Sequence, residues 1–350
     1  MKIPHVSIII SNYNYAHFLH KAIDSSLSQS YPNIEVVVVD DGSTDNSREV
    51  ISKYGCQIIS VLQENGKQAA ALNKGFEISQ GFIVIFLDAD DYLFPTAVER
   101  IVESWNPEIS KIHYRLEVVD AEENPLGFSY PQGQKPLASG QVWKTLLREG
   151  SYQRTPMSGN ALSRNALNKV FPIPDKYKLT ADDYLCILLP FYGKVAAIED
   201  PLGAYRIHGS NQWALTTVTV DRFRRFVQHD LQNYDLLVSK AKELGHEVLE
   251  DLDQRSIGRI WSRIISLKLD PGNHPVKTDT VLNLTYQGIR SLWKYSPFTV
   301  MKRIVYTLWF LWVGFLPLPL AKLAITWLYA PHMRPSVISK IAKRLKALPI

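Results

Sequence analysis

Short apolar, β-branched runs, each cut off by a polar cluster, recur through the first quarter of the chain. Val6-Ser7-Ile8-Ile9-Ile10 stops at Ser11-Asn12-Tyr13-Asn14, and Ile34-Glu35-Val36-Val37-Val38-Val39 stops at Asp40-Asp41-Gly42-Ser43. Gln57-Ile58-Ile59-Ser60-Val61 stops near Glu64-Asn65-Gly66, and Phe82-Ile83-Val84-Ile85-Phe86-Leu87 stops at Asp88-Ala89-Asp90-Asp91. Runs of this kind read as buried parallel strands. Segments with helical spacing separate them, at about 16–29, 44–54 and 67–80. Gly55 and Gly81 fall where two of those helices should end, in the place of left-handed caps. The order is βαβαβαβ, which predicts an α/β fold, Rossmann-like, with a mostly parallel central sheet flanked by helices. In such sheets ligands bind at the carboxyl ends of the strands, and every polar cluster named above falls at such an end. Turn formation accounts for one cluster of Asp, Asn, Ser and Gly; it does not call for four, two of them acidic.

The pattern then changes. Residues from about 106 to 215 are irregular, with Pro125, Gly127, Pro131, Gly133 and Pro136 punctuating a loop or hairpin. From about 217 to 296 the spacing turns helical, and Phe223, Val227, Leu231, Tyr234 and Val238 mark one apolar face. Ile304 to Leu320 carries no charge, but Pro317 and Pro319 interrupt it. It falls short of the roughly 20 clean apolar residues of a spanning helix. It predicts a helix, a proline break and a second helix lying in one leaflet, with Trp309, Trp312, Trp327 and Tyr329 at the interface. Ile338, Ile341, Ala342, Leu345 and Leu348 then form a stripe backed by Lys340, Lys343, Arg344 and Lys346, a basic amphipathic pattern suited to a membrane surface. A buried helical hairpin is the competing reading of 304–330. The expected division is an α/β domain over 1–215, a helical extension over 216–298 and a membrane-associating segment over 299–350.

Composition narrows the class. With 46% hydrophobic and 21% charged residues the chain is globular, not disordered. A net charge of +5, much of it at the C-terminus, gives no reason to expect nucleic acid as a partner. Cys56 and Cys186 provide neither a disulfide framework nor a metal signature, which fits reducing surroundings. The first apolar run is too short for a signal peptide, so a cytoplasmic location, peripheral on the cytoplasmic face of the membrane, is expected.

Two clusters carry candidate chemistry. Asp88 and Asp90, two residues apart just past a strand, can converge on a hard divalent cation, Mn²⁺ or Mg²⁺, whose other ligands come from a substrate's phosphates. Asp40 and Asp41 can accept hydrogen bonds from a base N–H or a ribose hydroxyl. Helix N-capping is the plainer role available to both clusters.

Four blocks, in order and spacing, resemble the family 2 glycosyltransferases of GT-A fold. They are Val6 to Asn14, Val38-Val39-Asp40-Asp41-Gly42-Ser43-Thr44-Asp45, Glu64-Asn65-Gly66-Lys67-Gln68-Ala69-Ala70-Ala71-Leu72-Asn73-Lys74-Gly75, and Leu87 to Asp91. The resemblance covers about residues 4–212. It implies an inverting enzyme that transfers a sugar from a nucleoside-diphosphate sugar, UDP-sugars favoured, to a hydroxyl of a glycan or lipid-linked acceptor. By position it assigns Ser11 and Tyr13 to the nucleotide base, with Tyr13 stacking on it. Asp41, with Asp40 behind it, falls against a uracil-type ring, and Lys67 near the base or diphosphate. Asp88 would face ribose and metal, and Asp90 would be the direct metal ligand. The family's Glu-Asp base motif falls on Ala181-Asp182-Asp183, which makes Asp182 the general base, with Asp183 the alternative one residue on. Tyr205-Arg206-Ile207-His208 matches a Tyr-Arg-x-His pattern, with Arg206 offered to the leaving group and His208 to the metal shell. Two departures stand out: Ser11-Asn12 replaces a common Pro-Thr, and Ala181 replaces the motif's Glu. A nucleotidyltransferase would need a glycine-rich phosphate loop that Ser11-Asn12-Tyr13-Asn14 is not. A non-catalytic nucleotide-sugar-binding protein docked at the membrane has only Ala181 in its favour.

Overall fold

A computed structural model describes residues 3–133, 135–209, 219–329 and 334–335. The basic stripe expected over 338–348 lies outside these residues, as do Ser210 and Asn211. The chain forms two compact units, one made of 1–145 and 152–211, the other of 146–151 and 212–350.

The first unit is built on a nine-stranded sheet. Its strands are β1 (Val6–Asn12), β2 (Ile34–Asp41), β3 (Ile59–Gln63), β4 (Ile83–Asp88), β5 (Tyr92–Leu93), β6 (Ile109–Val119), β7 (Pro125–Tyr130), β8 (Asn160–Ser163) and β9 (Lys194–Arg206). The order across the sheet is β3-β2-β1-β4-β8-β6-β9-β5, with β7 paired to β6. The helices of this unit are α1 (Ala16–Leu27), α2 (Ser47–Ser52), α3 (Lys67–Ile78), α4 (Ala97–Glu103), α5 (Val142–Glu149, which runs into the second unit), α6 (Arg164–Leu167) and α7 (Ala181–Leu188).

The first four strands pair in parallel, as the alternation of runs predicts. Ile8, Ile9, Ile10, Val37, Val38, Val39, Ile85 and Phe86 are all at or below 1% exposure, which is why these strands are apolar on both faces. At the outer edge, β3 lies two residues later than the run Gln57–Val61 implies, and Ile59 and Leu62 are exposed. Glycine plays a different part from the one expected. Gly55 is left-handed, with φ of 53°, but it opens a short 3₁₀ turn after α2 has ended at Ser52. Gly81 is no left-handed cap. A Cβ there would stand 2.4 Å from the backbone nitrogen of Ser7, so the chain needs glycine to pass close beside β1.

The second half of the sheet is mixed. β8 runs antiparallel to β4 and to β6, β6 runs parallel to β9, and β5 closes antiparallel on β9. This half comes from the stretch whose pattern reads as irregular. β6 explains why: Ile112, Tyr114, Leu116 and Val118 point into the core, while Lys111, His113, Arg115 and Glu117 occupy the other face. That polar face looks solvated in sequence, yet Lys111 and His113 are fully buried.

The second unit is helical: α8 (Val220–Glu243), α9 (Leu252–Arg255), α10 (Ile257–Leu269), α11 (Val281–Lys294), α12 (Val300–Phe315) and α13 (Leu318–Tyr329). Phe223, Ile260, Ile264, Leu284, Leu292, Phe310, Val313 and Ile325 share one core, so helices on both sides of residue 299 pack together. Gly288 admits the ring of Phe310, which a Cβ would meet at 2.3 Å. The proline break falls between α12 and α13, as predicted. Of the aromatics expected at a lipid interface, Trp309 turns inward, and Trp312, Trp327 and Tyr329 are half-buried. Trp309 is buried and donates to the Ala324 carbonyl at 3.0 Å, Trp312 donates to the Leu320 carbonyl at 3.0 Å and meets Trp327 edge-on, and Tyr329 packs on Phe223. The outward face of α12 is aliphatic and exposed at Val300, Ile304, Leu308 and Leu311, ending at Phe315. No helix among the described residues is long and apolar enough to cross a membrane.

Candidate active site

Register in the parallel strands brings the polar clusters to one level. Ser11 pairs with Val39 on one side and Asp88 on the other, Asn12 pairs with Asp40, and Asp41 pairs with Gln63. The carboxyl edge of β1 to β4 is thus one polar rim, at the place where such sheets receive ligands.

The left part of this rim is held rigid. Asp40 has no exposed surface; it accepts from the Asn12 amide at 2.8 Å, the Ser43 backbone N–H at 3.1 Å and Arg48 Nε at 3.2 Å. It fixes the turn from beneath and has no face toward a ligand. Asp41 accepts from Gly66 N–H at 2.9 Å and Gln63 Nε2 at 2.7 Å. Gly42 is left-handed, and a Cβ there would lie 2.7 Å from the Asn65 nitrogen, so glycine lets the two loops touch. Asn14, also at positive φ, accepts from Thr44 N–H at 2.7 Å. These bonds leave Tyr13 raised at 45% exposure, with Lys67 Nζ 5.8 Å from its ring centroid. A planar ring and a cation thus stand side by side, just past β1 and at the start of α3.

The right part is an acidic turn. The Asp88 backbone N–H donates to Ser158 Oγ at 3.1 Å, and Gln68 Nε2 lies 3.4 Å from Asp88 Oδ1. Burial first, then the charges of Asp90 and Asp182, push Asp88 up to about 8. Asp91, 1% exposed, is held well above the ordinary range by burial and then by Asp90 and Asp88. His208 Nε2 stands 3.0 Å from Asp90 Oδ2, and its ring rests on Phe18 and Tyr15. The Arg206 side chain is held by protein groups. It is 2% exposed, its Nε donates to the Asp90 carbonyl at 2.8 Å, its Nη1 to the Ala121 carbonyl at 2.9 Å and its Nη2 to Glu123 at 3.2 Å. Its backbone N–H donates to Asp91 Oδ1 at 2.9 Å. Arg206 therefore braces the acidic turn from behind.

Asp182 and Asp183 open α7 without capping it; the N-cap is Thr180, and it makes no side-chain cap bond. The two carboxylates part company. Asp183 is buried in an ion pair with Arg154. Asp182 accepts from the Cys186 thiol at 3.3 Å and is close enough to Asp88 for their charges to oppose each other. Burial raises Asp182, with Arg154 acting the other way and Asp183 adding to the rise.

Among the described residues no three His, Cys, Asp or Glu form a preorganised metal cage. The donor set still fits a hard cation. Asp88 and Asp90 offer carboxylate oxygens in a place where negative charge is crowded, and such ions take remaining ligands from phosphates. His208 sits against Asp90 and shares no preformed centre with Asp88. Sequence reasoning missed Gln68 and Ser158 on Asp88, and Lys111, Tyr152, Arg154 and Cys186 around α7. Only the alternation Lys111-His113-Arg115 hinted that β6 turns a polar face to something.

A parallel sheet that turns mixed, with an acidic turn closing its fourth strand, defines a glycosyltransferase fold of the GT-A class. S. aureus TarS, solved with UDP-GlcNAc, superposes with a TM-score of 0.54 at 16% identity over 82% of this chain and 79% of that one. Residues 7–124 match the family model of glycosyl transferase family 2. An uncharacterized glycosyltransferase of Nostoc sp. is 40% identical over 213 residues, 59% of this chain and 66% of that protein. The chondroitin synthase of Pasteurella multocida is 43% identical over 107 residues, 30% of this chain and 11% of that one. The chain thus spans less than two thirds of the length of these relatives.

Proposed function

We propose that the protein is an inverting glycosyltransferase that moves a sugar from a nucleoside-diphosphate sugar, a UDP-sugar in first place, to a hydroxyl of a glycan or lipid-linked acceptor. What supports this reading is that Asp88, acted on by the charges of Asp90 and Asp182, ends β4 on the strand-end rim that also carries Asp41, with Tyr13 and Lys67 side by side. Tyr13 stacks on the base, Ser11 lines it and Asp41 accepts from it, while Asp88 faces the ribose. Lys67 balances phosphate charge. Asp88 and Asp90 hold a divalent cation, which as a Lewis acid stabilises the departing diphosphate. Asp182 takes the acceptor hydroxyl's proton as its oxygen attacks the anomeric carbon; Asp183, neutralised by Arg154, is the poorer base. A single displacement needs no nucleophilic side chain and inverts the anomeric centre.

The exposed aliphatic row of α12, with Lys322 exposed nearby on α13, supports work at a membrane surface, on its cytoplasmic side. The test is release of nucleotide from UDP-, GDP- and dTDP-sugars with Mn²⁺ and varied acceptors. Turnover that disappears in Asp182→Asn and on chelation is expected. Nucleotide binding without turnover of any donor would replace this reading with a binding protein.

A further inference from the structure

Lys111 is a charged side chain with no exposed surface, in the middle of a strand, and no role described so far uses it. Its Nζ donates to Cys186 Sγ at 3.1 Å and to the Tyr152 hydroxyl at 3.2 Å. The Cys186 thiol in turn donates to Asp182 Oδ1 at 3.3 Å. Tyr152 is itself fixed, its hydroxyl donating to the Cys186 carbonyl at 2.9 Å. The bonds therefore run in one direction, from ammonium to thiol to carboxylate. Burial pushes the Cys186 thiol up, so it stays protonated and able to donate.

An ammonium buried without a carboxylate in direct contact is costly, and a strand that needed only packing there is served better by methionine or leucine. The nearest charge the chain of bonds reaches is Asp182, since Asp183 is occupied by Arg154. We propose that Lys111 is a positioning residue for the transfer reaction: acting through Cys186, it aims the Asp182 carboxylate and keeps it ionised. This rests on the reading of Asp182 as the base. The charged and titratable groups acting on Asp182 are Lys111 from β6, Arg154 from the segment before β8, Asp183 and Cys186 from α7, and Asp88 from β4, with His113 and Tyr152 set against Lys111. Of these, Lys111, Arg154 and the Cys186 hydrogen bond favour its ionised form, and Arg154 is shared with Asp183.

The experiment compares Lys111→Met, Lys111→Arg, Cys186→Ala and Asp182→Asn in the full chain. Nucleotide release from UDP-GlcNAc, UDP-glucose and UDP-galactose with Mn²⁺ is followed against pH, together with a ¹³C NMR titration of aspartate-labelled protein assigned by Asp182→Asn. Lys111→Met is expected to lower kcat about 10- to 100-fold with donor KM within about twofold, and to move the acidic limb of kcat and the Asp182 midpoint up by about one unit or more. Cys186→Ala should give the same shift, and Lys111→Arg should recover part of it. A folded Lys111→Met with the wild-type profile and midpoint overturns the proposal while leaving the base reading intact. Full turnover in Asp182→Asn overturns both. If Lys111→Met does not fold, Cys186→Ala decides by the same two outcomes, and the NMR midpoint decides even where none of the three donors turns over.

Discussion

Among the described residues both units hold aspartates away from solvent, but only the α/β unit crowds several of them together at one turn. In the helical unit Asp279 lies in an ion pair with Arg263 and accepts from His274 Nε2 at 2.9 Å, while His274 Nδ1 meets Ser266 Oγ at 3.1 Å. Asp230 is likewise matched to Arg259 at 2.6 Å. In the α/β unit Asp88 and Asp91 are pushed up by burial and by neighbouring carboxylates, while Asp90 meets His208 and Asp182 is opposed by Arg154 and Lys111. Matched charge holds a fold together; carboxylates crowded on one another destabilise the free protein and are relieved when a cation arrives. The contrast separates scaffold from site without reference to any motif.

The sharpest way to break this comparison is to remove its charges one by one. Asp90→Asn and Asp182→Asn should each lower turnover by about a thousandfold or more without lowering the melting temperature, read by nucleotide release and thermal unfolding. Asp279→Ala should do the reverse, costing about 3–5 kcal/mol in urea unfolding because Arg263 loses its counter-charge and His274 its hydrogen-bond partner. A variant as stable as the parent would remove the helical unit from the comparison.

The polar face of β6 offers a third test. Burial, then Lys111, push His113 down to about 3, and its Nε2 sits 2.7 Å from the Ala138 carbonyl. A depressed value means that the stability His113 permits is complete above its unfolded value near 6.5 and is lost as pH falls toward 3. His113→Phe should flatten that acid loss by about 2 kcal/mol between pH 6.5 and 5, measured by denaturant unfolding at each pH. Asp88 has the opposite sign. Raised to about 8, it favours folding most below its unfolded value and loses that contribution as pH rises through 8. Added Mn²⁺ should therefore raise the melting temperature by about 2–4 °C at pH 8 and less at pH 6, where a proton must leave first. Asp88→Asn should abolish the difference. The smallest stability change, within about 0.5 kcal/mol, is expected for Ile304→Ser with Leu308→Ser on the open face of α12. Co-sedimentation with vesicles containing anionic lipid should nevertheless drop; unchanged sedimentation would remove α12 from the membrane reading.

Much of the first half of the sheet is legible in the sequence, because strands buried on both faces must be apolar throughout and must end in polar turns. Ser11, Asp41 and Asp88 could be placed on one rim from that alone. The second half was not legible, since β6 alternates Lys, His and Arg with apolar residues, and alternation cannot say whether the polar face meets water or another element. The same limit governs the C-terminal aromatics: Trp309 and Tyr329 belong to an apolar run in sequence, and only packing against α13 and α8 buries the first and half-buries the second.

The chain by itself determined which residues could do chemistry and the level at which the first four strands present them, because period and strand ends are local properties. Tertiary structure decided which of those residues are used up by neighbours. Asp40 and Arg206 became braces, Asp183 an ion-pair partner, and Lys111 a buried cation linked to Asp182. Satisfaction of a polar group depends on what lies across space from it, and a pattern along one strand or helix carries no record of that.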